Sequence, residues 1–161
     1  MAANYAKPST PMLAISEPRW IRPEPRQVKL NVDASFCSDV SVGATGAILR
    51  YCNGRFIAAS CRFLLNVSSV AMAESVAMKE GLTLANRLGC SSIVAESDSI
   101  ETVDACTGRN TWWNEWVAIF ADIVDLGLNI GNVEFKHISR EANNVAREIA
   151  RVCFIDKNIC I

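Results

Sequence analysis

The chain has 161 residues, half of them hydrophobic, with one histidine, seven cysteines and a net charge of −1. This length suits one domain with a sizeable core, and so apolar a composition excludes a disordered or fibrous chain. The charge excludes a uniformly basic nucleic-acid coat but allows a local basic face beside acidic groups.

Residues 1–26 carry all five prolines (Pro8, Pro11, Pro18, Pro23 and Pro25) and read as a Pro-rich arm or linker, leaving 27–161 as the domain. Trp20 and Ile21 either tack this arm onto the domain or belong to a loose tail. The opening MAANYAKPSTPML lacks a compact hydrophobic region and a cleavage site, and no apolar run reaches the roughly 18 residues that span a bilayer. The cysteines occur singly, without a CxxC pair, as reduced thiols serving as small hydrophobes do. An intracellular protein, nuclear or cytoplasmic and not secreted, is therefore expected. One histidine without clustered cysteines argues against structural zinc.

From Val28 the pattern becomes regular. VKLNVDASF alternates, with Val28, Leu30, Val32, Ala34 and Phe36 on one face. VGATGAILRY and RFIAASCRF flank Cys52-Asn53-Gly54, a hairpin signal, so three antiparallel strands are predicted. A helix is predicted over 69–88, closed by Gly89. SSIVAES reads as a short strand, DSIETVDAC as a short helix, and NEWVAIFADIVDLG as a helix with Gly127 near its end. NVEFKHI reads as the last strand and REANNVAREIARVC as the last helix. Its inward side is expected to hold Ala142, Val145, Ala146, Ile149 and Cys153, and its polar side Arg140, Asn143, Arg147 and Arg151. The order βββ-α-β-α-α-β-α describes a mixed α/β sheet flanked by helices.

Three carboxylates stand out. At about 100° per helical residue, Glu74 falls in the middle of an apolar stripe made by Val70, Ala77, Met78, Gly81, Ala85 and Leu88. Carboxylates are seldom left unpaired there; the alternative is a helix-start glutamate that reaches solvent. Asp33 lies within the first strand, where aspartate is disfavoured, unless Lys29, Asn31 and Asp33 simply form a half-exposed polar face. Asp98 follows a short strand at a position open to a site, or else Ser97, Asp98 or Ser99 caps the next helix. Together, the three would repel unless divalent cations neutralised them, and such cations activate water for phosphodiester hydrolysis.

KLNVDAS, AESVAMKEGLTLA, VAESDS and HISREANNVAREIA, in this order, resemble the ribonuclease H-like domain. More narrowly, they are similar to its plant branch found beside reverse-transcriptase-related sequences. The resemblance runs from about Trp20 to Ile155. It implies a five-stranded mixed sheet ordered 3-2-1-4-5 with flanking helices. It also implies endonucleolytic hydrolysis of the RNA strand of an RNA–DNA hybrid with two Mg²⁺ ions, Mn²⁺ substituting. The implied partner is nucleic acid, not a membrane, and a monomer is expected. Asp33 matches the first-strand aspartate that bridges both metals, Glu74 the first-helix glutamate and Asp98 the aspartate after the fourth strand. Asn143 matches the asparagine of the last-helix motif, and the fourth acid should fall four residues later, where this chain has Arg147.

His137 stands at the spacing of a mobile histidine that assists product release, though a strand-end histidine suits the position better. Arg140, Asn143, Arg147 and His137 are thus candidate substrate contacts. Arg147 either competes with a cation or grips a phosphate. Neighbouring Glu148 points about 100° away and substitutes poorly for the missing acid. The basic, aromatic handle of some members is absent; TGRNTWWNEWVAIF occupies its place. There Trp112, Trp113 and Trp116 stack on bases, or Trp112, Trp116 and Phe120, at helical spacing, join the core. Two functions remain open: a ribonuclease weakened by Arg147, or a nucleic-acid-binding or protein-interaction module that keeps the fold. A pure scaffold would not need Glu74 in an apolar stripe.

Overall fold

A computed structural model describes residues 19–109, 116–157 and 159–160, the last two by backbone alone. Strands β1 (Val28–Cys37), β2 (Val42–Tyr51) and β3 (Phe56–Leu65) form an antiparallel meander. The β2–β3 hairpin turns at Gly54, with φ +86°, while Asn53 Oδ1 accepts the Arg55 N–H at 3.0 Å. Helix α1 (Val70–Arg87) begins on Ser69, whose hydroxyl accepts the Met72 N–H at 3.1 Å, and ends before Gly89 at φ +71°. Strand β4 (Ser92–Ser97) lies parallel to β1, and helices α2 (Ile100–Cys106) and α3 (Val117–Ile130) follow. Strand β5 (Asn132–His137) pairs parallel with β4, and α4 (Asn144–Asp156) comes next. The final β6 (Ile159–Cys160) pairs antiparallel with β3. The sheet order is β5-β4-β1-β2-β3-β6, so the expected arrangement is present, with a short sixth strand that no alternation foretells. No described helix is long and apolar enough to cross a membrane.

One sheet face packs on α1. Leu30, Leu49, Leu82 and Ile93 are fully buried there, each contributing about 1.5–3 kcal/mol. Gly81 admits the close approach: a Cβ there would lie 2.7 Å from Val32 Cγ1. Helix α3 runs through Gly127 to Ile130, three residues beyond the expected end, and stops at Gly131 with φ +104°. Buried Ile123 and Ile130, two turns apart on one face, hold that last stretch against the weak helix preference of Gly127.

The opposite face seats α4. Its buried residues are Ala146 and Cys153, both on the predicted inward side, and Ala150, so the stripe is turned toward Ala150. Val145 is 42% exposed, while Ala142 and Ile149 are half-buried. The reason is Gly46: a Cβ there would lie 2.5 Å from the Ala150 nitrogen and closer still to the Ala146 carbonyl oxygen. Only small residues let the helix rest on that backbone. The helix also starts later than expected. Residues 140–143 form a turn in which Ser139 Oγ accepts the Ala142 N–H at 3.3 Å.

The same face buries polar residues that the alternation places at a half-exposed surface. Lys29 Nζ donates to Glu96 Oε1 at 2.5 Å, and Asn31 Nδ2 donates to Glu96 Oε2 at 2.9 Å, all three residues buried. Trp20 covers them, its indole N–H donating to Asn31 Oδ1 at 2.9 Å and its ring lying 4.4 Å from the Arg50 guanidinium. The described end of the arm is therefore tacked down by Trp20. Ile21 is exposed, but its carbonyl accepts from Lys29 Nζ.

Candidate metal centre and cleft

The β1–β4 ladder ends at the pair Asn31 and Glu96. Asp33 and Asp98 each follow two residues beyond that pair, so both carboxylates leave the end of one parallel ladder. Glu74, in the second turn of α1, meets them from the side. Ligand oxygens of Asp33, Glu74 and Asp98 lie within 4.8 Å of one another. Asp33 and Glu74 are buried, at 4% and 6% exposure, and Asp98 is half-buried. The cap alternative for Asp98 is resolved by its neighbour, because Ser99 Oγ accepts the Thr102 N–H at 3.3 Å and caps α2.

Three clustered carboxylates out of water resist ionisation. Burial pushes the Asp33 carboxyl up to about 8, with a hydrogen bond to Asp98 and the Asp98 charge adding to the rise, while Arg140 and Arg147 oppose it. Burial, followed by the charges of Asp33 and Asp98, raises Glu74 well above the carboxylate range. The Ala34 N–H bonds to Glu74, yet Glu74 Oε2 is buried without a partner. A buried carboxylate oxygen with no donor is costly, and an oxygen-only donor set suits a hard divalent cation. The three residues therefore fit such an ion, which would relieve the like-charge repulsion among them.

The trio opens into a cleft of about 940 Å³. Arg140, exposed on the turn before α4, and half-buried Arg147, in its first turn, stand on the cleft wall. Arg147 Nη2 donates to Asn144 Oδ1 at 2.6 Å. Glu148 also reaches this wall, but its carboxylate accepts from Arg151 Nε at 2.8 Å and lies outside the trio. Asn143 is placed elsewhere: 1% exposed, it donates through Nδ2 to the Val32 carbonyl at 2.8 Å and accepts from Asn31 at 3.3 Å. Its side chain ties α4 to β1 and does not line the cleft. His137 is the last residue of β5, exposed, with Nε2 3.2 Å from the Asp98 carbonyl oxygen. It stands at the strand end beside the backbone of a trio member. Trp112 and Trp113 lie outside the described residues, while Trp116 is half-buried and Phe120 packs against the core.

Residues 31–153 match the family described as reverse transcriptase-like. The chain belongs to that family. This reverse transcriptase-like domain also resembles solved ribonuclease H structures. One is the N-terminal RNase H domain of a Mycobacterium tuberculosis protein, with TM-score 0.76 and 17% identity over 81% of this chain and 95% of that one. A second is RNase H1 from the archaeon Halobacterium salinarum, with TM-score 0.76 and 19% identity over 82% of this chain and 99% of that one. A third, an RNase H1 isolated from compost and solved with an RNA/DNA hybrid, gives TM-score 0.74 and 18% identity over 80% and 97%. These likenesses establish the ribonuclease H fold. No curated protein matches the sequence.

Sequence reasoning missed Gly46 as the seat of α4. A signal was present, since a lone glycine inside a strand marks a close backbone approach.

Proposed function

We propose that this reverse transcriptase-like domain hydrolyses the RNA strand of RNA–DNA hybrids, using Mg²⁺, with Mn²⁺ as a substitute, held by Asp33, Glu74 and Asp98. The observation that carries the reading is the convergence of these carboxylates, with Glu74 Oε2 buried and unpartnered, in a cleft that also holds Arg140 and Arg147. A neighbour of the same fold was solved with an RNA/DNA hybrid, which supports the substrate class. A bound divalent cation supplies Lewis acidity, favouring the hydroxide form of water and stabilising charge on phosphoryl oxygens. The chain supplies position. The Ala34 N–H holds one side of the Glu74 carboxylate. The guanidiniums of Arg140 and Arg147 offer donors to the non-bridging phosphate oxygens.

A second reading, a hybrid-binding module without turnover, is favoured by Arg147 standing on the wall beside Asp33. A labelled RNA–DNA hybrid incubated with Mg²⁺ or Mn²⁺ separates the two. Cleavage by wild type that Asp33→Asn abolishes establishes the enzyme. Tight hybrid binding with no cleavage, and turnover appearing only in Arg147→Asp, establishes the module.

A further inference from the structure

We infer that Arg147, assisted by Arg140, does the work of a second cation, gripping the phosphodiester directly so that the centre operates with one divalent ion. This rests on the hybrid-ribonuclease reading above and departs from the two-ion scheme that the sequence resemblance implies. Position is the first support. Gly46 faces Asp33 in the β1–β2 register, and Ala146 and Ala150 rest on Gly46. Asn143 fastens the start of the same helix to Val32. Arg147 is therefore delivered to the cleft wall by a helix that has no room to tilt inward.

Availability is the second. The hydrogen bond of Arg147 goes to a neutral amide, Asn144 Oδ1, and neither Arg147 nor Arg140 is ion-paired among the described residues. A guanidinium has five N–H donors in a planar fork, a shape that matches two phosphate oxygens. Both guanidiniums line the same cleft as the trio.

Charge is the third. Three carboxylates, one divalent ion, two guanidiniums and one phosphodiester sum to zero, whereas a second divalent ion would leave two uncompensated positive charges. Such an ion would also lack ligands. The remaining acids on the cleft wall are Glu101 and Glu148; neither belongs to the clustered set, and Glu148 is held by Arg151.

The test counts Mn²⁺ by electron paramagnetic resonance on the full chain, alone and with an uncleavable 2′-O-methyl RNA–DNA hybrid. One ion per chain is expected in wild type and two in Arg147→Asp. Hybrid affinity should fall about 10- to 100-fold in Arg147→Gln, the range for a lost hydrogen bond to a charged group, with partial recovery in Arg147→Lys. Equal ion counts in wild type and Arg147→Asp, or unchanged affinity in Arg147→Gln, would overturn the inference. If the hybrid fails to bind while the counts differ as stated, the substrate reading falls and the place of Arg147 beside a single ion stands.

Discussion

Asp33 of β1 and Gly46 of β2 face each other across the antiparallel ladder, and α4 rests on that glycine. The pairing sets a catalytic candidate and the seat of the closing helix at one level of the sheet. A methyl group at position 46 would meet helix backbone, which yields less readily than a side chain. Gly46→Ala should therefore lower stability by about 1–3 kcal/mol and move Arg147 off the cleft wall. Urea denaturation checks the first effect. Hybrid affinity, measured under conditions where the variant remains folded, checks the second. Full stability in Gly46→Ala would show that α4 is not held against β2 as described.

Stability without metal should fall as pH rises. The Asp33 carboxyl titrates near 8 in the folded chain against an ordinary 3.8, so the folded state binds a proton that the unfolded chain releases. Its contribution is complete below about pH 4 and is lost as pH climbs through about 8. In EDTA, the melting temperature should drop between pH 5 and pH 8. Asp33→Asn should flatten that slope, and Mg²⁺ should reverse it, because ion binding needs the ionised form. A melting temperature that rises over this window in EDTA would contradict the buried trio.

The buried Lys29–Glu96 pair should be sensitive to loss of one partner. Lys29→Met leaves a buried carboxylate that Asn31 still reaches at 2.9 Å, so a loss near the lower end of about 3–5 kcal/mol is expected. The double change Lys29→Met with Glu96→Gln should recover more than half of it, because an amide costs less to bury than a charge. Trp20→Ala, which uncovers the pair, should cost about 2 kcal/mol through lost packing, its indole hydrogen bond and its contact with Arg50. Chemical denaturation of the four proteins gives these differences.

How much of this was legible in the sequence depended on the range of the cause. Glu74 could be placed from helical spacing alone, because the stripe that surrounds it belongs to one helix. The hairpin at Asn53-Gly54 was equally local. Lys29 and Asn31 read as a half-exposed face because alternation does not reveal that Trp20 covers them or that Glu96, 67 residues from Lys29, pairs with it. Asn143 matched a site motif, yet a side chain bonded to the Val32 carbonyl is a tertiary fact without a sequence signature. Periodicity places Val145 inward with Ala146 and Cys153, but the glycine on another strand seats Ala150 instead and leaves Val145 exposed.

Asp98 and its neighbour Ser99 offer the sharpest separation of site from scaffold. Both are good cap residues, but the structure gives the cap to Ser99 and the cluster to Asp98. Ser99→Ala should cost about 1 kcal/mol, or about 2–4 °C in melting temperature, with little change in Mn²⁺ affinity. Asp98→Asn should do the opposite. It removes one negative charge beside Asp33 and Glu74, so the metal-free protein should melt higher at pH 8, while Mn²⁺ affinity should fall about tenfold or more for want of a charged ligand. Calorimetric Mn²⁺ titration and thermal melts on the two variants test both halves. If Asp98→Asn melts lower and binds Mn²⁺ as wild type does, Asp98 belongs to the scaffold after all.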